Sequence, residues 1–375
     1  MSRVAGLTVL ALVIAVSPLW ANGEGPGERT GFFPHAVAVG DVDGDGVPDL
    51  LVPASAERKV TVLRGDGHGG FKSNDAYPVG RGPTWIVTAD LNGDGHLDFV
   101  TTDTGAHRLS VYLGDGRGGF TAAKEITGIH GPASVVAADL NGDGRTDLAV
   151  AQAAESRIAI LLNRGGARFE LLTRYRVDRG PHILATTDLN GDKVPDLVVG
   201  ALGSHRLNIL LGKGDGFFDL PGKVGVGRFP HYMAFPDWNR DGRADVAVVV
   251  AGDDAVALLA GDGRGGLSPG PRLAVGVNPH GLTMADLNRD GIADLAVANR
   301  SSRDLIVLLG TGQGFAPGKR IVTGQDIIAL TAVELDRDGK MDLVLVSASH
   351  HRVVIYRGDG TGDFVPMSPR APSAK

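Results

Sequence analysis

Residues 41–50 read DVDGDGVPDL, four carboxylates within nine positions, with two glycines between them and an apolar residue at the end. Like charges held this close repel, so the stretch is either a solvated acidic turn or a cation site. It recurs. DLNGDGHLDF begins at Asp90, DLNGDGRTDL at Asp139, DLNGDKVPDL at Asp188, DWNRDGRADV at Asp237, DLNRDGIADL at Asp286 and ELDRDGKMDL at Glu334. Successive starts lie 49 residues apart five times and then 48. A fixed period of this length means one supersecondary unit repeated in a stack or a ring, and it governs the reading of the fold.

The 375 residues would suit two or three domains by length, but the repeat runs from about 30 to about 370 and leaves no room for a second one. Helical 3.6-residue spacing is absent. Short Val/Ile/Leu/Ala runs bounded by Gly, Pro, Asn and Asp recur instead, the pattern of an all-β chain. The 56 glycines are about double the average share, as many tight turns require.

At the N-terminus, Arg3 precedes the apolar run AGLTVLALVIAV and then SPLWANG. A basic start, a run too short to span a bilayer and a small residue at Ala21 predict a signal peptide over 1–21, hence a secreted or periplasmic protein. The expected layout is that leader, a repeat domain over 22–370 and a flexible tail over 371–375. No other segment is apolar enough to cross a membrane, so the mature chain is expected to carry no transmembrane segment. The sequence has no cysteine, so disulfides cannot stabilise it outside the cell.

The repeat consensus is D-x-[DN]-x-D-G-x-x-D followed by an apolar residue. Oxygen donors at positions 1, 3 and 5, a backbone carbonyl at 7 and a carboxylate at 9 can close an oxygen shell of the kind calcium takes, whereas zinc would want imidazole or thiolate. Glycine at position 6 permits positive φ. An EF-hand would place an acid at position 12 and continue into a helix. Position 12 holds Val52, Thr101, Val150, Val199, Val248, Val297 and Leu345, and strand-like residues surround it. The EF-hand reading fails.

A second element follows each acidic loop, as in VTVLRGDGHGGF (60–71), LSVYLGDGRGGF (109–120), VALLAGDGRGGL (256–267) and VVIYRGDGTGDF (353–364). With it, the chain resembles the FG-GAP or VCBS repeats of integrin α-chain heads and many secreted bacterial proteins. The resemblance implies a seven-bladed β-propeller of four-stranded antiparallel blades, with about seven calcium ions held between strands A and B.

Carried over position by position, it implies as ligands Asp41, Asp43, Asp45 and Asp49 in blade one, and Asp90, Asn92, Asp94 and Asp98 in blade two. Blades three and four offer Asp139, Asn141, Asp143 and Asp147, then Asp188, Asn190, Asp192 and Asp196. Blades five and six offer Asp237, Asn239, Asp241 and Asp245, then Asp286, Asn288, Asp290 and Asp294. Blade seven offers Glu334, Asp336, Asp338 and Asp342. Two loops depart from the pattern: Lys193 stands for the position-6 glycine of blade four, and Glu334 lengthens the first ligand of blade seven.

Threading places strand A before the loop (HAVAVG, TWIVTA, ASVVAA), B after it, C in the VTVLRG-type run and D after a glycine-rich turn, as in KEITG (124–128) or KRIVTG (319–324). Blade seven lacks a convincing strand D, because FVPMSPRAPSAK carries three prolines. By phase its place falls to GERTG (27–31), so the N-terminus is expected to close the ring.

Calcium loops and C–D turns then share one face, while B–C and D–A loops share the other. Nine of 11 histidines fall on or beside that second face, His68 and His96 being the exceptions. His35, His182, His231 and His280 follow the strand-A proline in four blades. Arg81, His130, Arg179 and Arg228 stand two residues before it, and Arg58, Arg108, Arg157, Arg206, Arg303 and Arg352 line the B–C loops. A ring of histidines near the axis with arginines outside it can bind an anion when protonated or a transition metal when neutral; the arginines favour the anion.

The formal net charge of −6 points the same way. More than half of the 43 acids are assigned as ligands, and seven calcium ions would reverse the sign. The remaining surface favours anionic extracellular partners, an acidic polysaccharide or a protein. No nucleic-acid motif is present and none is expected to bind. The protein is therefore expected to be a monomeric, secreted binding module with no catalytic residues assigned. A propeller lyase or hydrolase using the His/Arg face and a purely structural spacer are the alternatives. No nucleophile motif such as GxSxG occurs.

Overall fold

A computed structural model describes residues 28–31 and 33–367; the expected leader and tail lie outside them. Seven antiparallel sheets follow one another along the chain, each four strands deep. Blade three is representative: Pro132–Ala138 is innermost, then Asp147–Gln152, Arg157–Asn163 and outermost Phe169–Arg176. The second strands (DLLVPA, DLAVAQ, VAVVV) are apolar on both faces because neighbouring blades cover both, and every residue in them is buried. The core is a set of clusters between adjacent blades, such as Leu140, Ile160, Leu184 and Val199 between blades three and four.

The second repeat element is a self-bonded turn. Asp66 accepts the N–H groups of His68 and Gly70 at 2.7 and 2.9 Å, and Asp115 holds Arg117 and Gly119 in the same way. An acidic residue at this turn therefore has a backbone task.

Outer strands are split in two blades. In blade two, Phe120–Ala122 and Ile126–Thr127 both pair with Arg108–Gly114, so only the centre of KEITG is strand. In blade seven, Phe364–Pro366 pairs with Tyr356–Gly358 despite its proline, correcting the expectation that no strand D forms from the C-terminal run. Glu28 and Arg29 pair with Val353 and Arg352 on the other half of that same edge. The last blade thus combines both ends of the described chain. Thr30 donates to His351 O at 3.3 Å and accepts from the buried Thr61 hydroxyl at 2.7 Å, linking blade seven to blade one.

Deleting residues 22–31 is expected to cost about 2–4 kcal/mol in urea unfolding, since several hydrogen bonds go and the Thr61 hydroxyl is left buried and unpaired. A truncated chain that unfolds with the parent would show that Phe364–Pro366 closes the blade unaided. Among the described residues no helix is long and apolar enough to cross a membrane.

Candidate functional site

Two sites emerge on opposite faces. On the first, each A–B loop folds around its own carboxylates. Asp41 accepts the N–H groups of Gly44 and Gly46 at 2.8 Å, and Asp45 accepts that of Val47 at 2.8 Å. Asp49, wholly buried, takes the Val42 N–H on one oxygen and the Gly65 N–H on the other, both at 2.8 Å. The same pair of hydrogen bonds recurs at Asp98, Asp147, Asp196, Asp294 and Asp342. At Asp245 one oxygen takes the Gly261 N–H and the other is buried without a partner. The ninth residue therefore ties the loop to the end of strand C. At Gly65 a Cβ would lie 2.5 Å from Pro48 O, so a side chain there requires the backbone to shift; blade three carries Asn163 in this place.

Burial pushes all seven ninth-position carboxyls upward, and acids of the same loop push further; Asp342 reaches about 6. A buried acid beside like charges is the setting a cation relieves. Carboxylate oxygens of Asp41, Asp43 and Asp49 lie within 4.8 Å of one another, as do those of Glu334, Asp336 and Asp338. This all-oxygen donor set fits calcium. Lys193 takes its glycine's place at φ 69°. A further requirement was invisible in the consensus: position 4 is also left-handed, with arginine there in three blades (Arg240, Arg289 and Arg337).

The second site lies on the axis. In blades two to seven a β-bulge falls just after the start of strand A; between Pro181 and Ile183, for example, it leaves His182 out of the ladder. Bulges re-aim side chains, and in these six blades they turn one residue to the centre, a place that His35 takes in blade one without a bulge. The seven equivalent residues, His35, Thr84, Ala133, His182, His231, His280 and Ile328, all line a single cavity of about 410 Å³. Trp85 and Tyr232, from blades two and five, meet across the axis with ring centroids 5.5 Å apart. His182 and His231 stand 5.5 Å apart and His231 and His280 4.1 Å apart, centroid to centroid.

Burial lowers all four histidines below their ordinary range. His231 falls to about 3, helped by His280, His182 and Arg300, and His280 to about 4, helped by Arg300 and His182. The rings are therefore neutral at physiological pH, which corrects the expectation of a protonated ring. His182 Nδ1 is buried without a hydrogen-bond partner.

The arginines expected around this ring are elsewhere. Arg81 donates to Gly105 O at 2.8–3.0 Å, Arg228 to Asp253 at 2.8 Å and to Gly252 O, and His130 packs on His107 at 5.8 Å. None of these, nor Arg179, lines the cavity. Its single charged residue is Arg300, which sequence reading passed over. The signal existed: fourteen residues after each loop start stand Ser55, Thr104, Ala153, Leu202, Ala251, Arg300 and Ala348, and only one of these is charged.

Near the rim, Ser347, Ser349, His350 and Asp326 cluster. Both hydroxyls meet His350 Nδ1 at 3.0–3.1 Å and Asp326 lies 3.8 Å from the same nitrogen. A catalytic triad uses the two ring nitrogens for different partners, so this cluster is a loop tie.

Fold and loops together define a seven-bladed repeat propeller. More particularly, the chain belongs to the FG-GAP-like repeat family, whose model matches residues 41–101, 90–150, 140–199, 188–248, 237–297 and 286–345. No functionally curated protein matches the sequence. Similar solved structures include BBS1N in complex with ARL6DN, at 14% identity and TM-score 0.64 over 90% of this chain and 93% of that one. Virginiamycin B lyase from Staphylococcus aureus gives 12% and 0.60, over 86% and 93%. An Agrocybe aegerita lectin gives 19% and 0.55, over 78% and 81%. Identities this low describe a shared fold.

Proposed function

We propose that the protein is an exported, calcium-stabilised propeller that binds an acidic extracellular glycan, seating one sugar acid in the axial cavity. The observation that carries this reading is the cavity's composition: four neutral imidazoles, two threonines and three aromatic rings around one guanidinium. Neutral imidazoles both donate to and accept from sugar hydroxyls, aromatic walls take the apolar face of a pyranose, and Arg300 supplies a bidentate partner for one carboxylate. The volume is that of an ordinary small-ligand pocket. The anion preference read from the sequence is kept, but its source moves from the outer arginines to Arg300. The Agrocybe aegerita lectin, of the same fold, recognises non-reducing terminal N-acetylglucosamine, which supports a sugar as an occupant.

Uronic-acid oligomers are expected to bind the parent in calorimetry. The Arg300→Gln variant should lose about 10–100-fold in affinity, the range for a charge-assisted contact. The triple variant His182→Ala, His231→Ala, His280→Ala should lose binding altogether while calcium content stays unchanged. Variants that bind as the parent does would move the site off the axis, and chain cleavage in the same mixtures would make the protein an enzyme.

A further inference from the structure

The turn entering strand A needs a left-handed residue before its proline. Blades two, three and four use Gly82, Gly131 and Gly180, at φ 67°, 58° and 71°. Blade six uses Asn278, at φ 56°. Blades one and five use phenylalanine: Phe33 at φ 55° and Phe229 at φ 57°. A bulky side chain in this region is a real outlier, and the following proline restricts the residue further.

The backbone gains nothing from the phenylalanines. In all six blades the residue's carbonyl accepts the same bond, from Ser55, Thr104, Ala153, Leu202, Ala251 or Arg300, at 2.9–3.2 Å. Its N–H also has a repeated partner. Phe33 donates to His351 Nδ1 at 3.2 Å and Phe229 to His205 Nδ1 at 3.4 Å, and Gly131 makes the same bond to His107 at 3.1 Å. Glycine thus serves this turn fully.

Nor are the rings core residues. Phe33 is 50% and Phe229 47% exposed. Each packs edge-on against its histidine, at 5.1 and 5.3 Å, which props it upright. Phe33 lines the axial cavity, whereas Phe229 stands beyond its lining, and blades one and five are nearly opposite in a ring of seven. Strain kept without structural return is a mark of function, and large exposed aromatics near a cavity are hot-spot material.

Building on the glycan reading, we propose that Phe33 and Phe229 are ligand-contacting residues at the rim of the axial cavity, selecting a polymeric chain over a free sugar. One sugar acid enters the cavity beside Phe33, and the units that follow cross the rim and stack on Phe229. A monosaccharide held by the cavity lining meets Phe33, which belongs to that lining, and not Phe229, which stands outside it.

The test uses Phe33→Gly and Phe229→Gly in the full chain with calcium present, since glycine is the residue blades two to four already carry. Melting should stay within about 2 °C of the parent or rise, because left-handed strain is released. With polygalacturonate as probe, each variant should bind about tenfold more weakly, the scale of one aromatic side chain removed from water. With galacturonic acid alone, Phe33→Gly should weaken binding and Phe229→Gly should leave it unchanged. Polymer binding that survives both substitutions but is lost in Arg300→Gln overturns the rim and leaves the cavity reading standing. A parent that binds neither probe overturns both.

Discussion

Removing calcium is expected to lower the melting temperature by tens of degrees, the largest single effect the structure implies. Seven aspartates at the ninth loop position are wholly buried. Six of them bridge the loop and the end of strand C through both oxygens, and Asp245 does so through one, its other oxygen lacking a partner. Without a cation each is a desolvated acid beside the carboxylates of its own loop. A ligand held only by the folded state contributes about 2.7 kcal/mol per site at a hundredfold excess over Kd, so a few such sites match the whole stability of roughly 5–15 kcal/mol typical of a domain. Native mass spectrometry should count about seven ions. The fourth and seventh loops should empty first: Lys193 holds a left-handed backbone that glycine would adopt freely, and Glu334 reaches Asp338 N with an extra methylene. A chain with no bound calcium and a melting curve indifferent to chelator would sink the assignment.

The architecture was legible because a propeller writes its fold as a period. Seven acidic loops at near-constant spacing fix the blade count, and apolar runs after each loop fix the buried second strands. The axial ring was legible for the same reason: a residue at constant phase must sit at constant radius, so His35, His182, His231 and His280 fall together. What depended on side-chain reach was not. Arg228 turns from the axis to Asp253, whereas Arg300, in a loop read only for its other arginines, lines the cavity. Protonation was misjudged because a ring of histidines reads as surface in sequence. The bulge that carries His182, His231 and His280 inward shows only in the register of strands A and B. The tie from Asp49 to Gly65 likewise joins positions sixteen apart, a relation no consensus of the acidic loop contains.

Acidification should destabilise the protein more steeply than it destabilises a variant lacking His231 and His280. Unfolded, both rings take a proton as the pH falls through about 6.5. Folded, burial holds them neutral until about 3 and about 4, with Arg300, His182 and, for His231, His280 adding to it. Between those values the unfolded state binds more protons. The stability these groups contribute is therefore complete above 6.5 and is lost as the pH drops toward the folded values. The slope is about 1 kcal/mol per pH unit for each ring, allowing for the part open to solvent. Between pH 7 and 5, at saturating calcium, the parent should lose about 2–4 kcal/mol more than His231→Gln, His280→Gln in urea titrations. Carboxylate protonation at the acidic A–B loops, on the opposite face, is common to both chains and cancels in the difference. The groups facing these rings, His35, His182, Arg300 and Tyr232, offer no carboxylate to hold an added proton, which is why the cavity resists it. The His231 and His280 imidazole signals of the folded parent should accordingly stay those of neutral rings from pH 7 to 5, and glycan affinity through Arg300 should not rise on acidification. If His231 and His280 titrate near 6.5 in the folded chain, or if parent and variant give parallel stability curves, the cavity is open to water and its anion preference comes from histidine after all.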